Sequence, residues 1–178
     1  MALSDSDIFD LAKRMEIDLI FCDFKDNLKD HKLQYNKGYI INMEDEFDKK
    51  TGERNGGSHW TAFIVRKYPN GKKQPLYFDS YGQGPPEEVK DFIKISNIPH
   101  NSKDIQSICA EVCGWYCLAF LHWIEKFESQ CGNIYECCEQ FTDLFDDLEK
   151  SVDFKRNEFI LKHFFRSKDP NIRVPIKV

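Results

Sequence analysis

The segment "SICAEVCGWYCLAFLHW", Ser107 to Trp123, places Cys109, Cys113 and Cys117 at every fourth position. After Glu111 the next charge is Glu125. Thiols at this spacing can be core filler, a metal site, or one nucleophile with two bystanders. Zinc fits poorly, because C-x3-C-x3-C is not a usual ligand spacing and no second His or Cys pair lies at a matching offset. From Cys113 to Ile124 the apolar residues cover every face of a helix, so that helix must be buried in the middle of a domain. Its first turn is then a fixed site with unpaired backbone N–H groups and a positive dipole end. Cys113 stands there, where a thiol is activated as a nucleophile. Gly114 beside it leaves room for a substrate backbone. Cysteine is also commonly a small buried hydrophobe, and Cys109 and Cys117 read as packing residues.

A nucleophilic thiol needs a base, a carboxylate to orient the base, and donors for an oxyanion. His59 opens the strand-like run "HWTAFIV", directly after Gly56-Gly57-Ser58. Asp79 ends "LYFD", the next such run. A hairpin turning near Asn70-Gly71 brings the two together at its open end. Gln106 lies seven residues before Cys113 and could bring its side-chain amide beside the helix start, with the Cys113 N–H as second donor. Taken singly, each has a plain structural reading: a capping histidine, a solvated strand-end carboxylate, a surface amide. The order His, Asp, Gln, Cys is what joins them. His31 and His100 fall in polar loops. His122 and His163 fall within helices, where packing accounts for them.

These residues need a frame. "SDSDIFDLAKRM" has helix-capping serines at Ser4 and Ser6, then Ile8, Leu11, Ala12 and Met15 at helical spacing. "KGYIINM" reads as a strand and "EDEFDKKTGERNGGS" as a charged loop. "HWTAFIVRK" is apolar on both faces, as a central strand is. "YPNGKKQP" reads as a turn, "LYFDS" as a strand, and "YGQGPP" as a rigid bend. "EEVKDFIKIS" is helical and "KDIQSI" briefly extended. "IYECCEQFTDLFDDLEKSV" and "FKRNEFILKHFFR" are two further helices. Strands in the middle with helices at both ends predict one α+β domain over 1–178: a mixed sheet packed on a buried central helix. The basic tail 168–178 alternates Ile172, Val174, Ile176 and Val178 with Arg173, Pro175 and Lys177, the pattern of an edge strand.

Four ordered blocks resemble the adenovirus-type maturation proteases (adenain-like), in the clan that also holds the proteases specific for SUMO and ubiquitin-like proteins. "GGSHWTAFIV" resembles the family's Gly-Gly-x-His-Trp strand, "YFDSYGQGPPEEV" its carboxylate strand, and "IQSICAEVCGWYCLAFL" its Gln-to-Cys block. "SDSDIFDLAKRM" and "YIINMED" resemble the region upstream, so the likeness spans residues 3 to 125. "FTDLFDDL" and "NEFILKHFF" resemble the C-terminal helices of short proteases from virophages, Polinton-type elements and large DNA viruses. The resemblance implies His59 as base, Asp79 as its orienter, Cys113 as nucleophile and Gln106 in the oxyanion hole. Asp79 departs from the Glu common in adenoviral members and agrees with the SUMO-protease pattern. The implied fold is a circularly permuted relative of papain, and no cofactor or metal is implied. The implied task is cleavage of capsid and minor capsid precursors at Gly-containing sites, with Gly57 and Trp60 lining a narrow cleft. That places the enzyme in the host cytoplasm at the virus factory and in the virion. A ubiquitin-like-modifier deconjugating protease is the alternative, and a non-catalytic binding protein fits the intact four-residue set less well.

Composition narrows the field. The chain has 178 residues, 41% of them hydrophobic, with fifteen Phe, which is a folded globular composition. A net charge of −5 does not imply strong non-specific nucleic-acid binding, though it leaves room for a local basic patch, and it argues against activation by DNA, which adenoviral members show together with a basic peptide. An activating peptide remains a candidate partner. "MALSDSDIFD" is polar and acidic where a secretory signal would be basic and then apolar, and no run reaches a membrane span. The seven cysteines therefore read as reduced thiols.

Overall fold

The computed structural model describes residues 2–150 and 154–176. The first helix, α1 (Asp5–Arg14), starts where the sequence marks it. Ser4 Oγ accepts the Asp7 N–H at 3.1 Å and the Asp7 carboxylate accepts the Ser4 N–H at 2.9 Å, a reciprocal cap. Four strands follow, β1 (Leu19–Phe24), β2 (Gly38–Asn42), β3 (Trp60–Lys67) and β4 (Lys73–Phe78). They form one mixed sheet in that order, β1 parallel to β2 and the other pairs antiparallel. The helices are α2 (Glu87–Ile93), α3 (Cys113–Phe127), α4 (Ile134–Thr142) and α5 (Phe154–Lys168). This is the expected α+β architecture.

Alternation along the strands splits the core into two layers. Ile40, Ala62, Ile64, Leu76 and Phe78 face a large cluster built around α3 and joined by α1, α4 and α5. Tyr39, Ile41, Phe63, Val65 and Tyr77 face a smaller one closed by α2 and the 3-10 turn Lys25–Asp30. β3 therefore has apolar side chains on both faces because both are covered. α3 is buried on nearly its whole circumference. Phe78 stacks on Phe120 at 4.6 Å, seating the helix on β4. No helix among the described residues is long and apolar enough to cross a membrane.

Four local readings need correction. β1 is a strand where none was read, because its burial is irregular and its register slips between Leu19 and Phe21. Lys73, Gln74 and Pro75 belong to β4, not the turn. Pro75 pairs with Val65 on an edge strand, where a missing N–H costs no ladder bond. α4 ends at Thr142 instead of running through the acidic stretch. There Asn157 accepts the Asp146 N–H at 2.7 Å and donates to its carbonyl at 2.8 Å, replacing helical bonds; Ser151 and Val152 of that expected helix lie outside the described residues. The tail forms no strand through Ile176, and Lys177 and Val178 of that reading also lie outside them. Its alternation is real, since Ile172 and Val174 are buried and Arg173 and Pro175 exposed, but the apolar side chains enter the α3 core instead of a ladder. Asp169, paired with Arg14 at 2.5 Å, fixes where the tail turns back.

Ile172→Ala is accordingly expected to destabilise the fold by about 2–4 kcal/mol. Urea denaturation followed by circular dichroism checks this. A loss below the range of surface substitutions would mean that the tail is only laid on the core.

Candidate active site

The β3–β4 hairpin turns at Tyr68–Lys72, with Gly71 at φ +83° and its N–H on the Tyr68 carbonyl at 2.8 Å. Ala62 pairs with Phe78, so the open end of the hairpin carries His59 just before β3 and Asp79 just after β4. His59 Nε2 meets Asp79 Oδ1 at 2.7 Å. Asp79 is 2% exposed, and a carboxylate in that position needs donors. The Tyr81 N–H supplies one to Oδ1 at 2.9 Å. Asn101 grips the Asp79 backbone from both sides, accepting its N–H at 3.0 Å and donating to its carbonyl at 2.6 Å. The carboxylate cannot swing away, and the imidazole is held by it. The Tyr81 ring stacks on His59 at 4.5 Å.

Cys113 is the first residue of α3, and no side chain caps that end. The first-turn N–H groups have no acceptor within the helix. The thiol is 6% exposed, and the Trp60 N–H donates to its sulfur at 3.4 Å. His59 precedes Trp60 in the chain, so its ring lies beside Cys113, near enough for the thiol to act on its charge. Burial works against a charged imidazole here. The Asp79 carboxylate and Cys113 outweigh it, raising His59 from about 6.5 to about 9. Among the described residues, His59 is the expected base candidate that meets a carboxylate and stands next to the strand residue bonded to Cys113. His122 is buried against Phe164, and burial with nearby Lys168 and Lys126 pushes it down to about 4.

The three cysteines separate by environment. Cys117 lies one turn inside α3, fully buried, and donates to the Trp60 carbonyl at 3.4 Å. Burial pushes its thiol up, so it stays protonated core. Cys109 is exposed in the loop before the helix and does not pack, contrary to expectation. Its neighbour Ile108 is 87% exposed, because the short Ser107–Val112 loop bulges outward to reach the helix start.

Gln106 is brought to the site but is already engaged. Its Nε2 donates to Ala110 O at 2.7 Å and to the Tyr81 hydroxyl at 3.3 Å, while Oε1 accepts from Ser80 Oγ at 2.7 Å. A cavity of about 250 Å³ opens on Cys113, lined by Leu3, Asn42, Gly57 and Trp60 among others. Gly57, at φ +86°, has no room for a side chain, since a Cβ would come within 2.6 Å of Asn42 Nδ2. Asn42 in turn accepts the Ser58 N–H at 3.1 Å, fixing the loop that leads into His59. The Trp60 indole donates to the Leu3 carbonyl at 2.9 Å. Gly114 does not open toward the cleft as expected. The direction of its missing Cβ is filled by Leu3 and Ile8 at 3.3 Å, so the glycine serves the α1–α3 contact. Tyr81, Asn101, Ser80 and Asn42 were not picked out from the sequence. Only Ser80 and Tyr81, adjacent to Asp79, carried any signal. Among the described residues no group of three or more His, Cys, Asp or Glu could hold a metal.

Chemically, the arrangement is a thiol at an uncapped helix start lining a cavity, an imidazole beside it and a buried carboxylate behind. No protein-family model matches the chain, and no curated protein does. Among solved structures, the crystal structure of HopZ1a in complex with IP6 aligns with a TM-score of 0.46 and 13% identity, over 83% of this chain and 52% of that one. The present chain thus spans about half the length of that protein. The geometry of the site, not this likeness, carries the reading below.

A protonated His59 is favoured by the folded state. Its contribution to stability is full below about pH 6.5 and is lost as pH rises to about 9. Asp79→Asn removes the larger of the two supports. In an NMR titration the His59 imidazole of that variant is expected to titrate well below about 9, towards the ordinary histidine value. An unchanged midpoint would mean that Asp79 does not set the charge.

Proposed function

We propose that this chain is a cysteine endopeptidase with the permuted papain-like order His59, Asp79, Gln106, Cys113, of the adenain-like class, acting on capsid and minor capsid precursors at Gly-containing sites. One observation carries the reading: a single imidazole bonded to a buried carboxylate, with a helix-terminal thiol beside it. The ordered sequence blocks supply the class. The narrow cavity beside Gly57 supports small residues before the scissile bond.

In this reading the Cys113 thiolate attacks the scissile carbonyl carbon, and the carbonyl electron pair moves to oxygen. The Cys113 N–H and the Gln106 amide stabilise that oxyanion. To do so Gln106 must exchange the Ala110 carbonyl for the substrate oxygen, while Ser80 keeps hold of its Oε1. His59 gives its proton to the leaving amine nitrogen and the C–N bond breaks, leaving a thioester. His59 then takes a proton from water, the hydroxyl attacks the thioester, and the Cys113 thiolate departs.

The decisive experiment incubates the protein with capsid precursors from the same genome and reads fragments by mass spectrometry. Cleavage at Gly-containing sites that disappears in Cys113→Ala is expected. Cleavage of ubiquitin-like fusions with intact capsid precursors would replace the substrate assignment, and hydrolysis surviving Cys113→Ala would end the mechanism. Gln106→Ala is expected to lower kcat by on the order of 10²–10³ with little change in KM. Wild-type kcat/KM is expected to fall above about pH 9, where His59 loses the proton it must donate.

A further inference from the structure

A cavity larger than the one at Cys113 lies elsewhere among the described residues. A groove of about 830 Å³ lies on the other side of the sheet, between the segment 25–35, the start of β4 and the end of α2. Its floor is aliphatic, formed by Leu28, Leu33, Val65, Ile93 and Ile95. Val65 belongs to the core layer that faces away from α3, so the groove and the thiol are separated by the sheet.

The rim is cationic in a chain whose net charge is −5. Lys29, Lys32, Lys73 and Lys94 line it, all exposed, and none of the four meets a carboxylate among the described residues. The fifth lysine, Lys25, is structural, held between Asp45 at 2.8 Å and Glu88 at 2.6 Å. That pairing also neutralises Glu88. Asp26 is engaged with the Glu46 N–H at 3.0 Å, and Asp91 is the remaining carboxylate on the rim. Lys94 ends α2 in the left-handed conformation at φ +61°, a strained choice for a lysine. Lysines outnumber carboxylates around this apolar floor, and an anionic occupant would relieve the excess positive charge.

The floor decides which anion. Nucleic acid binds such sites by stacking bases on free aromatic faces. Here Phe92 is packed edge-on against Tyr39 at 5.5 Å and Phe63 at 6.1 Å. The Tyr35 ring is covered by the Lys67 and Lys73 ammonium groups at 5.4 and 5.0 Å. With both rings already partnered, the half-buried Leu33 and Ile95 are the aliphatic side chains of the lining left partly open, which suits a Leu- or Ile-type anchor.

We propose that this groove docks an acidic peptide segment of a partner protein, an aliphatic side chain entering the floor and flanking carboxylates meeting Lys29, Lys32, Lys73 and Lys94. The site is independent of the reading given to Cys113. The probe is a fluorescein-labelled peptide of glutamates bearing spaced leucines, measured by fluorescence anisotropy against the full chain. Binding is expected to weaken about tenfold or more when Lys29, Lys32 and Lys94 are changed to Glu together, and to weaken with added salt. Replacing the peptide leucines by serine is expected to abolish it, a test that leaves the protein unaltered. Retained affinity in the charge-reversed protein, confirmed folded by its melting curve, would overturn the proposal. Equal binding of the serine peptide would too. So would a single-stranded oligonucleotide that binds more tightly and depends on the same lysines, which would make the groove a nucleic-acid site.

Discussion

A helix without a polar face has to be surrounded on every side, and everything near Cys113 depends on how α3 meets that demand. The sheet covers one side of it, α1 another, α4 and α5 the rest, and Ile172 and Val174 of the tail help close the cluster. Burial of eleven of its fifteen residues leaves the helix no freedom to slide or rotate. Its first turn is thereby fixed relative to β3, although no side chain caps it. Uncapped N–H groups at a buried helix end are a cost for stability and an asset for binding negative charge. Placing the thiol there joins the two.

The second dependence is electrostatic. A carboxylate as buried as Asp79 survives because the Tyr81 N–H and the His59 ring hold it, and Asn101 holds the backbone that carries it. The imidazole beside it is charged despite burial for the same reason. Ser80, Tyr81 and Gln106 form a short polar network behind this pair, tied to Ile105 and through it to Tyr116 and Asn157. The α3 core and the polar site are therefore braced by the same loop.

Most of the frame was legible in the sequence because it rests on periodicity. The two-sided apolar run of β3, the all-round apolar run of α3 and the Ser4 cap each state a local physical requirement. The hairpin turn at Asn70-Gly71 was enough to bring His59 to Asp79. What escaped was set by tertiary partners. β1 takes its conformation from β2, not from any alternation of its own. α4 stops where Asn157, far along the chain, captures the Asp146 backbone. The tail shows the limit of pattern reading most clearly: period-2 burial was correct, but the surface awaiting it was a helical core. Gly114 shows another, since a glycine by a nucleophile serves equally to let a helix approach. Asn101, 22 residues beyond Asp79, acts through contacts that no spacing announces.

One detail of β3 reaches further than its distances suggest. The peptide units of Trp60 touch two thiols at once, the N–H on Cys113 and the carbonyl on Cys117, while His59, the preceding residue, supplies the imidazole. Consecutive residues of one strand thus gauge consecutive turns of one helix. A slip of β3 by a single residue would reverse every side chain on it and part the ring from both the sulfur and the carboxylate. Thiol and imidazole meet only in a chain whose hairpin is paired in its native register. A partly folded chain has the same residues but does not bring them together until the hairpin is in place.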